Sequence, residues 1–181
     1  MKLENTLGHL TYSTLVHPGD TWEQMRSSLE EFVPQIKKRL GVPGKFGVSL
    51  RISGSSAKTL SESADERSSL KAFLDENGLY VFTINAFPFG PFKGQRVMEQ
   101  VYEPDWTSQQ RIEYTKSIAD ILVEITDADV SPSIQTAPLA FAPNVSDENY
   151  IAKFTTGVFE VISHLYHLEH KTGRRVKLSI E

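Results

Sequence analysis

Apolar and polar positions along the chain follow a period of two in some segments and a period of 3.6 in others. A period of two predicts half-buried strands, and a period of 3.6 predicts amphipathic helices. Strands are predicted over 9–17, 46–53, 80–87, 133–138 and 176–181. Helices are predicted between the caps Thr21 and Gly41, over about 57–76 and 108–126, and between Asp147 and Gly173. Pro34 predicts a kink or a second short segment within the first helix.

This strict alternation of strands and helices, without hairpin signals, predicts parallel strands joined by right-handed helical crossovers. Two α/β architectures fit: an open doubly wound sheet, or part of a (β/α)8 TIM barrel. The strands favour the barrel because only one face of each is apolar, whereas a doubly wound sheet buries both faces of its strands. The polar or small positions of the other face are Thr11, Ser13, Gly47, Ser49, Arg51, Thr83, Asn85, Ser133, Gln135, Lys177 and Ser179.

The length of the chain bears on how much of a barrel is present. A complete barrel takes about 250 residues, and four to five βα units already use residues 1–181. We therefore expect one domain, 1–181, that is the N-terminal part of a longer barrel and ends at the fifth strand. Assembly with a complementary half or an oligomer partner is one alternative, and a true open sheet is another.

Composition narrows the class of protein. The chain has 39% hydrophobic residues and a net charge of −4, which excludes a disordered polypeptide. It has no Cys, which excludes a disulfide scaffold, a thiolate zinc site and a cysteine nucleophile. The sequence lacks the basic stripe that would indicate a nucleic-acid partner. It also lacks an apolar run long enough to span a membrane. Polar residues follow Met1, so no signal peptide is predicted and a cytoplasmic location is expected.

Candidate site residues follow from the barrel geometry, because the chemistry of a barrel lies at the carboxyl ends of its strands. The inward-facing residues at these ends are His17, Arg51, Asn85, Gln135 and Glu181. The first four are predicted to bind a small-molecule ligand, and Glu181 to ligate a divalent metal ion or to act as a general base. Structural roles remain open for each of them; Arg51, for example, could simply pair with Glu181.

The connection over 87–106 is about twenty residues long, and connections of that length without regular structure are usually functional. Lys93 and Arg96 are predicted to contact polar groups of the substrate. The aromatic residues of this connection fit both a lid over a pocket and simple packing on the barrel rim. These aromatic residues are Phe87, Phe89, Phe92, Tyr102 and Trp106.

Three histidines, His164, His167 and His170, are spaced three apart on the last helix. At 100° per residue this spacing spreads them over about 120°, which favours a solvated helix face over a metal site. No dinucleotide-binding, P-loop, zinc-protease or nucleophile-elbow motif occurs in the sequence.

Several segments together resemble the EboE-like proteins of the xylose-isomerase-like TIM-barrel superfamily. The segments that carry the resemblance are HLTY at 9–12, HPG at 17–19 with Trp22, FGV at 46–48 with Leu50 and Arg51, GLYVFTIN at 78–85, and the FPFGPF motif at 87–92. Gly94, Arg96, Val97, EQVY at 99–102 and PDW at 104–106 continue it. The resemblance runs over essentially the whole chain.

The resemblance implies a xylose-isomerase-like barrel that binds a divalent metal and a small polyhydroxylated or phosphorylated compound. Many members of the superfamily carry a metal-binding Glu at the end of the fifth strand, where Glu181 lies. The remaining superfamily ligands come from later strands, and the relatives are longer than this chain. The implied activity is metal-assisted isomerisation or epimerisation of a sugar-like compound. The alternative is a non-catalytic protein that binds or traffics a small metabolite.

Overall fold

The backbone forms one parallel sheet with helices on one side. A computed structural model describes residues 1–3, 8–92 and 96–181. The strands are β1 (Tyr12–Ser13), β2 (Phe46–Arg51), β3 (Leu79–Ala86), β4 (Ser133–Thr136) and β5 (Lys177–Ile180). The helices are α1 (Trp22–Leu40), α2 (Gly54–Glu62), α3 (Ala64–Glu76), α4 (Gln109–Ile125) and α5 (Glu148–Thr172). None of the helices in the described ranges has the length and apolar character needed to cross a membrane.

The sheet order decides between the two α/β architectures. The strands lie side by side in chain order, β1-β2-β3-β4-β5, and every neighbouring pair is parallel. A doubly wound sheet reverses its strand order at a switch point, whereas a barrel wall does not. The sheet is therefore a barrel wall, and the prediction of a partial barrel is confirmed. Its outer strands are β1 and β5.

The two faces of the sheet differ as the strand patterns predicted. The face that packs against the helices, here called the helix side, carries buried residues such as Val48, Leu50, Ile84 and Ile134. They form one core with the apolar stripes of the helices, including Leu122 of α4. We call the opposite face of the sheet the open face. Because the helices cover one side alone, polar residues of the strands are free to line the other.

Local structure departs from the predicted elements at three places. The first strand is two residues long, because a short 3-10 helix occupies Thr14–Val16. Pro34 lies inside α1, which runs unbroken from Trp22 to Leu40. The helix predicted over 57–76 is two helices, because the backbone of Ser63 is extended and its side chain caps α3 at the N–H of Glu66. A serine in this role offers the backbone an alternative to a continuous helix.

Candidate functional site

Two rows of polar residues cross the open face in register. The upper row, near the carboxyl ends of the strands, consists of Arg51, Asn85, Gln135 and Ser179. The lower row, two residues earlier in each strand, consists of Ser13, Ser49, Thr83, Ser133 and Lys177. Register across parallel strands brings these positions together although they lie far apart in the chain. The open face is thus lined by hydroxyl, amide and cationic groups.

Asn85 and Gln135 form the centre of the upper row. The Asn85 Nδ2 donates a hydrogen bond to the Gln135 Oε1 at 3.3 Å, and the Asn85 Oδ1 accepts one from the backbone N–H of Phe87 at 3.1 Å. Asn85 is buried, whereas Gln135 is exposed. The structure therefore brings these two predicted residues together. Asn85 also fixes the start of the long connection, whereas the Gln135 side chain is exposed.

Arg51 is held by groups of the protein itself. Its Nη1 donates to the Gly19 carbonyl and to the Asp20 Oδ1, both at 2.8 Å, and its Nη2 donates to the Gly90 carbonyl at 2.9 Å. The guanidinium lies 4.8 Å from the centre of the Phe92 ring, and the residue is 3% exposed. Its ion-pair partner is Asp20, not Glu181. Arg51 therefore joins the connection after β1 to the connection after β3.

His17 lies on the helix side rather than on the open face. Its Nε2 is 2.8 Å from the Tyr12 hydroxyl, and its ring packs edge-on against Phe32 of α1 at 5.3 Å. The prediction that His17 faces the barrel interior is wrong because the 3-10 helix at Thr14–Val16 ends the alternation of the first strand. The same break leaves Val16, predicted to face the helices, 66% exposed. His17 and Arg51 do line one small cavity of about 20 Å³ beside α1. A volume of that size holds about one water molecule, not a substrate.

A second buried arginine, which sequence reasoning missed, anchors both ends of the long connection. Arg111 of α4 is fully buried and donates from Nε to the Pro104 carbonyl at 2.7 Å. Its Nη1 donates to the Ala86 carbonyl at 2.8 Å, and its Nη2 to the Phe87 carbonyl at 3.1 Å. Burial lowers the pKa of Arg111, and these carbonyl dipoles compensate the buried charge. The helical phase of the sequence contains a signal for it, because Arg111 precedes the apolar residues Ile118 and Leu122 by seven and eleven positions and so lies on the same, buried face of α4.

Aromatic residues of the connection pack on neighbouring parts of the protein. The Phe87 ring contacts Tyr102, which stacks on Phe141 of the next connection at 5.3 Å. Phe89 meets Tyr114 of α4 edge-on at 5.0 Å. Burial raises the pKa of Tyr114, whose hydroxyl donates to the Ile52 carbonyl. These contacts match the packing interpretation of the aromatic residues.

The end of the connection is fixed by a buried carboxylate. The Asp105 Oδ1 accepts hydrogen bonds from the Thr107 backbone N–H at 2.9 Å and from its hydroxyl at 2.7 Å. The Tyr150 hydroxyl of α5 donates to the other oxygen. Burial and the neighbouring carboxylate raise the pKa of Tyr150 to about 12. Next to it, Trp106 is fully buried and its Nε1 donates to the Ala137 carbonyl at 3.2 Å.

Three predicted residues remain at the edges of the site. Arg96 is exposed in the connection, and Lys93 lies outside the described residues. Glu181 follows β5 and is exposed, and its backbone N–H donates to the Thr136 carbonyl at 3.3 Å. Among residues 1–3, 8–92 and 96–181, no three carboxylate or imidazole groups are arranged to hold a metal ion. A metal ion held by Glu181 would therefore take its further ligands from outside these residues.

The three histidines of α5 lie on the outer surface. The His164 Nε2 is 2.8 Å from the Asp120 Oδ1, while His167 and His170 each contact a backbone carbonyl four residues earlier in the helix. His164 and His167 line an open groove of about 580 Å³ between α4 and α5. This groove lies among the helices, away from the open face.

Comparison with known proteins identifies the fold. No family model and no curated protein matches the chain. Among solved structures, a xylose isomerase domain protein from Planctomyces limnophilus is similar, with a TM-score of 0.52 and 16% sequence identity. The alignment covers 93% of this chain and 51% of that protein, so the chain spans about half of its length. The chain therefore has the fold of a partial xylose-isomerase-like TIM barrel.

Proposed function

We propose that this protein binds a small polyhydroxylated, sugar-like molecule on the open face of its sheet. The observation that carries the proposal is the pair of rows, which presents hydroxyl, amide and ammonium groups from neighbouring strands at one surface. Sugar hydroxyls both donate and accept hydrogen bonds, and serine, threonine and glutamine side chains do the same. The carboxyl ends of the strands are also where barrels bind their ligands.

Gln135 offers the most direct test, because it is exposed at the centre of the upper row and its side chain makes one hydrogen bond among the described residues, to Asn85. Binding of D-xylose, D-ribose and D-glucose is measured by calorimetry and by ligand-observed NMR. We expect Gln135→Leu to weaken binding by about tenfold, the equivalent of one lost hydrogen bond. Gln35→Leu, at an exposed position on α1, is the matched control and leaves binding unchanged. Saturable binding by none of the three sugars refutes the proposal.

Binding without turnover corresponds to the metabolite-handling interpretation of the EboE-like resemblance. It is favoured over catalysis because Arg51, the charged group of the upper row, is already bound to Asp20 and to two backbone carbonyls. An acid–base pair poised over a ligand is also absent from the two rows, which hold no carboxylate or imidazole. The rows therefore supply recognition rather than proton transfer.

Metal-assisted isomerisation or epimerisation is the second candidate. It is favoured by the position of Glu181 directly after β5, at the same end of the sheet as the upper row. Incubation of the chain with each sugar and Mn²⁺, followed by NMR of the sugar, separates the two candidates. Recovery of unchanged sugar supports binding alone. Steady interconversion that is lost in Glu181→Gln would replace the binding proposal with the enzymatic one.

A further inference from the structure

Helix α5 carries two apolar stripes. The buried stripe packs against the rest of the protein and includes Gly157, Val161, Leu165 and Leu168. The other, here called the outer stripe, consists of Ile151, Phe159, Ile162 and Tyr166, which are 46%, 64%, 46% and 60% exposed. The described part of the chain thus leaves much of each of these four side chains open to solvent. A helix that is apolar on two sides is normally enclosed on both.

The outer stripe is a continuous line along the helix. At 100° per residue its four residues lie within an arc of about 80°, and they extend over about 22 Å of α5. Along one side of it, Val158, Ile162 and Ile180 help to line a groove of about 400 Å³ between α5 and β5. Phe159 protrudes beside this groove, so the same surface offers both a protrusion and a depression. Exposed apolar surface of this kind marks an interaction site.

The outer stripe is arranged symmetrically about its middle. Ile151 and Tyr166 form its two ends, and Phe159 lies halfway between them to within one residue. Glu148 in the first turn of α5 and His170 in the last turn are equally distant from Phe159 along the helix. Both lie within about 20° of the stripe at 100° per residue, and the His170 ring packs on Tyr166 at 4.1 Å. Two such helices placed antiparallel would therefore match apolar end to apolar end and acidic group to basic group.

We propose that the outer stripe is the interface of a two-fold symmetric dimer, in which the α5 helices of two copies of this chain pack antiparallel. The two Phe159 rings meet at the axis, and Ile151 of each copy packs against Tyr166 of the other. Glu148 of each copy lies beside His170 of the other, which also suits the dipoles of two antiparallel helices. A second copy fits better than an unrelated segment, which would not need positions arranged evenly about one residue. The dimer does not depend on the proposed function, since α5 lies on the helix side, away from the open face.

Sedimentation velocity of the complete chain measures the association. An interface one helix long lies near the lower limit of specific interfaces, about 1,000 Å² in total, so we expect a reversible dimer between about 10 and about 300 μM protein. Phe159→Glu places two like charges at the axis and is expected to raise the dissociation constant at least about tenfold. Leu40→Glu makes the same change at a 61% exposed residue of α1 and is the matched control, with an unchanged dissociation constant. Thermal unfolding shows whether each variant is folded, and an unchanged Tm is expected for both.

Disulfide cross-linking tests the antiparallel arrangement. The chain has no Cys, so an introduced cysteine is its single thiol. Phe159→Cys brings two thiols together at the axis and is expected to form a disulfide-linked dimer under mild oxidation. Ile151→Cys is the matched control, because two copies of residue 151 lie about 24 Å apart along antiparallel helices. That distance is far beyond the reach of a disulfide.

The outcomes decide the proposal. A wild type that stays monomeric up to about 300 μM refutes the dimer. A dimer that Phe159→Glu does not weaken, or that Leu40→Glu weakens equally, forms through another surface, and the inference is then wrong. Cross-linking of Ile151→Cys, or failure of Phe159→Cys to cross-link, overturns the antiparallel arrangement. The proposal stands when Phe159→Glu alone weakens the dimer and Phe159→Cys alone cross-links it.

Discussion

Replacing Arg111 by methionine tests how the long connection is held in place. Methionine has a similar length and no donor, so the substitution removes the guanidinium while largely filling its space. Three carbonyl oxygens then lose their donor: those of Ala86 and Phe87 at the start of the connection and that of Pro104 near its end. Because Arg111 is fully buried, water cannot readily replace the lost donor.

The size of the effect follows from the number of acceptors. Leaving a buried acceptor without its donor costs about 1–1.5 kcal/mol for each neutral carbonyl, at the lower end of the penalty for an unsatisfied buried group. Three carbonyls therefore give a loss of about 4 kcal/mol in the free energy of unfolding. For a chain of this length that loss corresponds to a decrease in Tm of about 10 °C.

Urea unfolding followed by circular dichroism measures the loss, and hydrogen exchange locates it. We expect Arg111→Met to accelerate exchange at the backbone amides of the connection more than at those of α3, to which the Arg111 side chain donates no hydrogen bond within the described residues. Arg111→Lys keeps the charge without the planar fork and is expected to recover a part of the stability. Arg39→Met, at an exposed position of α1, is the control and should change stability by less than about 0.5 kcal/mol. If the free energy of unfolding falls no further in Arg111→Met than in this control, the idea that Arg111 holds the connection in place is refuted.

Two further predictions concern packing and pH. Gly157→Ala should lower the Tm, because a Cβ on this residue of α5 would collide with the backbone oxygen of Trp106. The decrease is expected although alanine favours helices more than glycine does. A Tm equal to or above that of the wild type would contradict the close approach of α5 to Trp106. Burial acts to raise the pKa of Asp127, but hydrogen bonds from Lys45 and Lys71 outweigh it and the pKa lies below its usual value. The stability from this carboxylate is therefore present above the unfolded-state pKa of about 4 and is lost as pH falls through the folded-state pKa. Asp127→Asn should be less stable than the wild type at pH 7, and the difference should shrink in urea titrations below about pH 4.

The pH prediction has a matched control on the same connection. Asp129 is exposed and makes no ion pair among the described residues, so Asp129→Asn should show the same acid dependence as the wild type. The free energies of unfolding of Asp127→Asn and the wild type could instead differ by the same amount from pH 7 down to the acid transition. That result would show that the charge of Asp127 does not carry the stabilisation.

The sequence predicts the sheet well because one period governs each of its central strands. In β2, Val48 and Leu50 face the core while Ser49 and Arg51 face the other way, as their alternation indicates. The break of the second predicted helix at Ser63 was missed, since a serine that caps and a serine that sits within a helix look alike in a sequence.

The site is harder to predict because it depends on which partners a side chain finds. Strand phase placed Asn85 and Gln135 side by side correctly. Phase alone could not show that Arg51 turns to Asp20, because that contact depends on the path of two connections. Nor could it place His17, whose strand ends before the alternation reaches it. Whether these residues bind a ligand stays a prediction.

The long connection is positioned through its main chain as well as through the side chains of Asp105 and Trp106. Arg111 donates hydrogen bonds to three backbone carbonyls at the ends of the connection, and Arg51 donates one to a fourth, that of Gly90. A carbonyl oxygen is the same whatever residue carries it, so the anchors do not restrict which side chains occupy the rest of the segment. Between these anchors, residues 88–103 can therefore be exchanged for segments of equal length and different sequence without loss of the hydrogen bonds that Arg111 makes to the main chain.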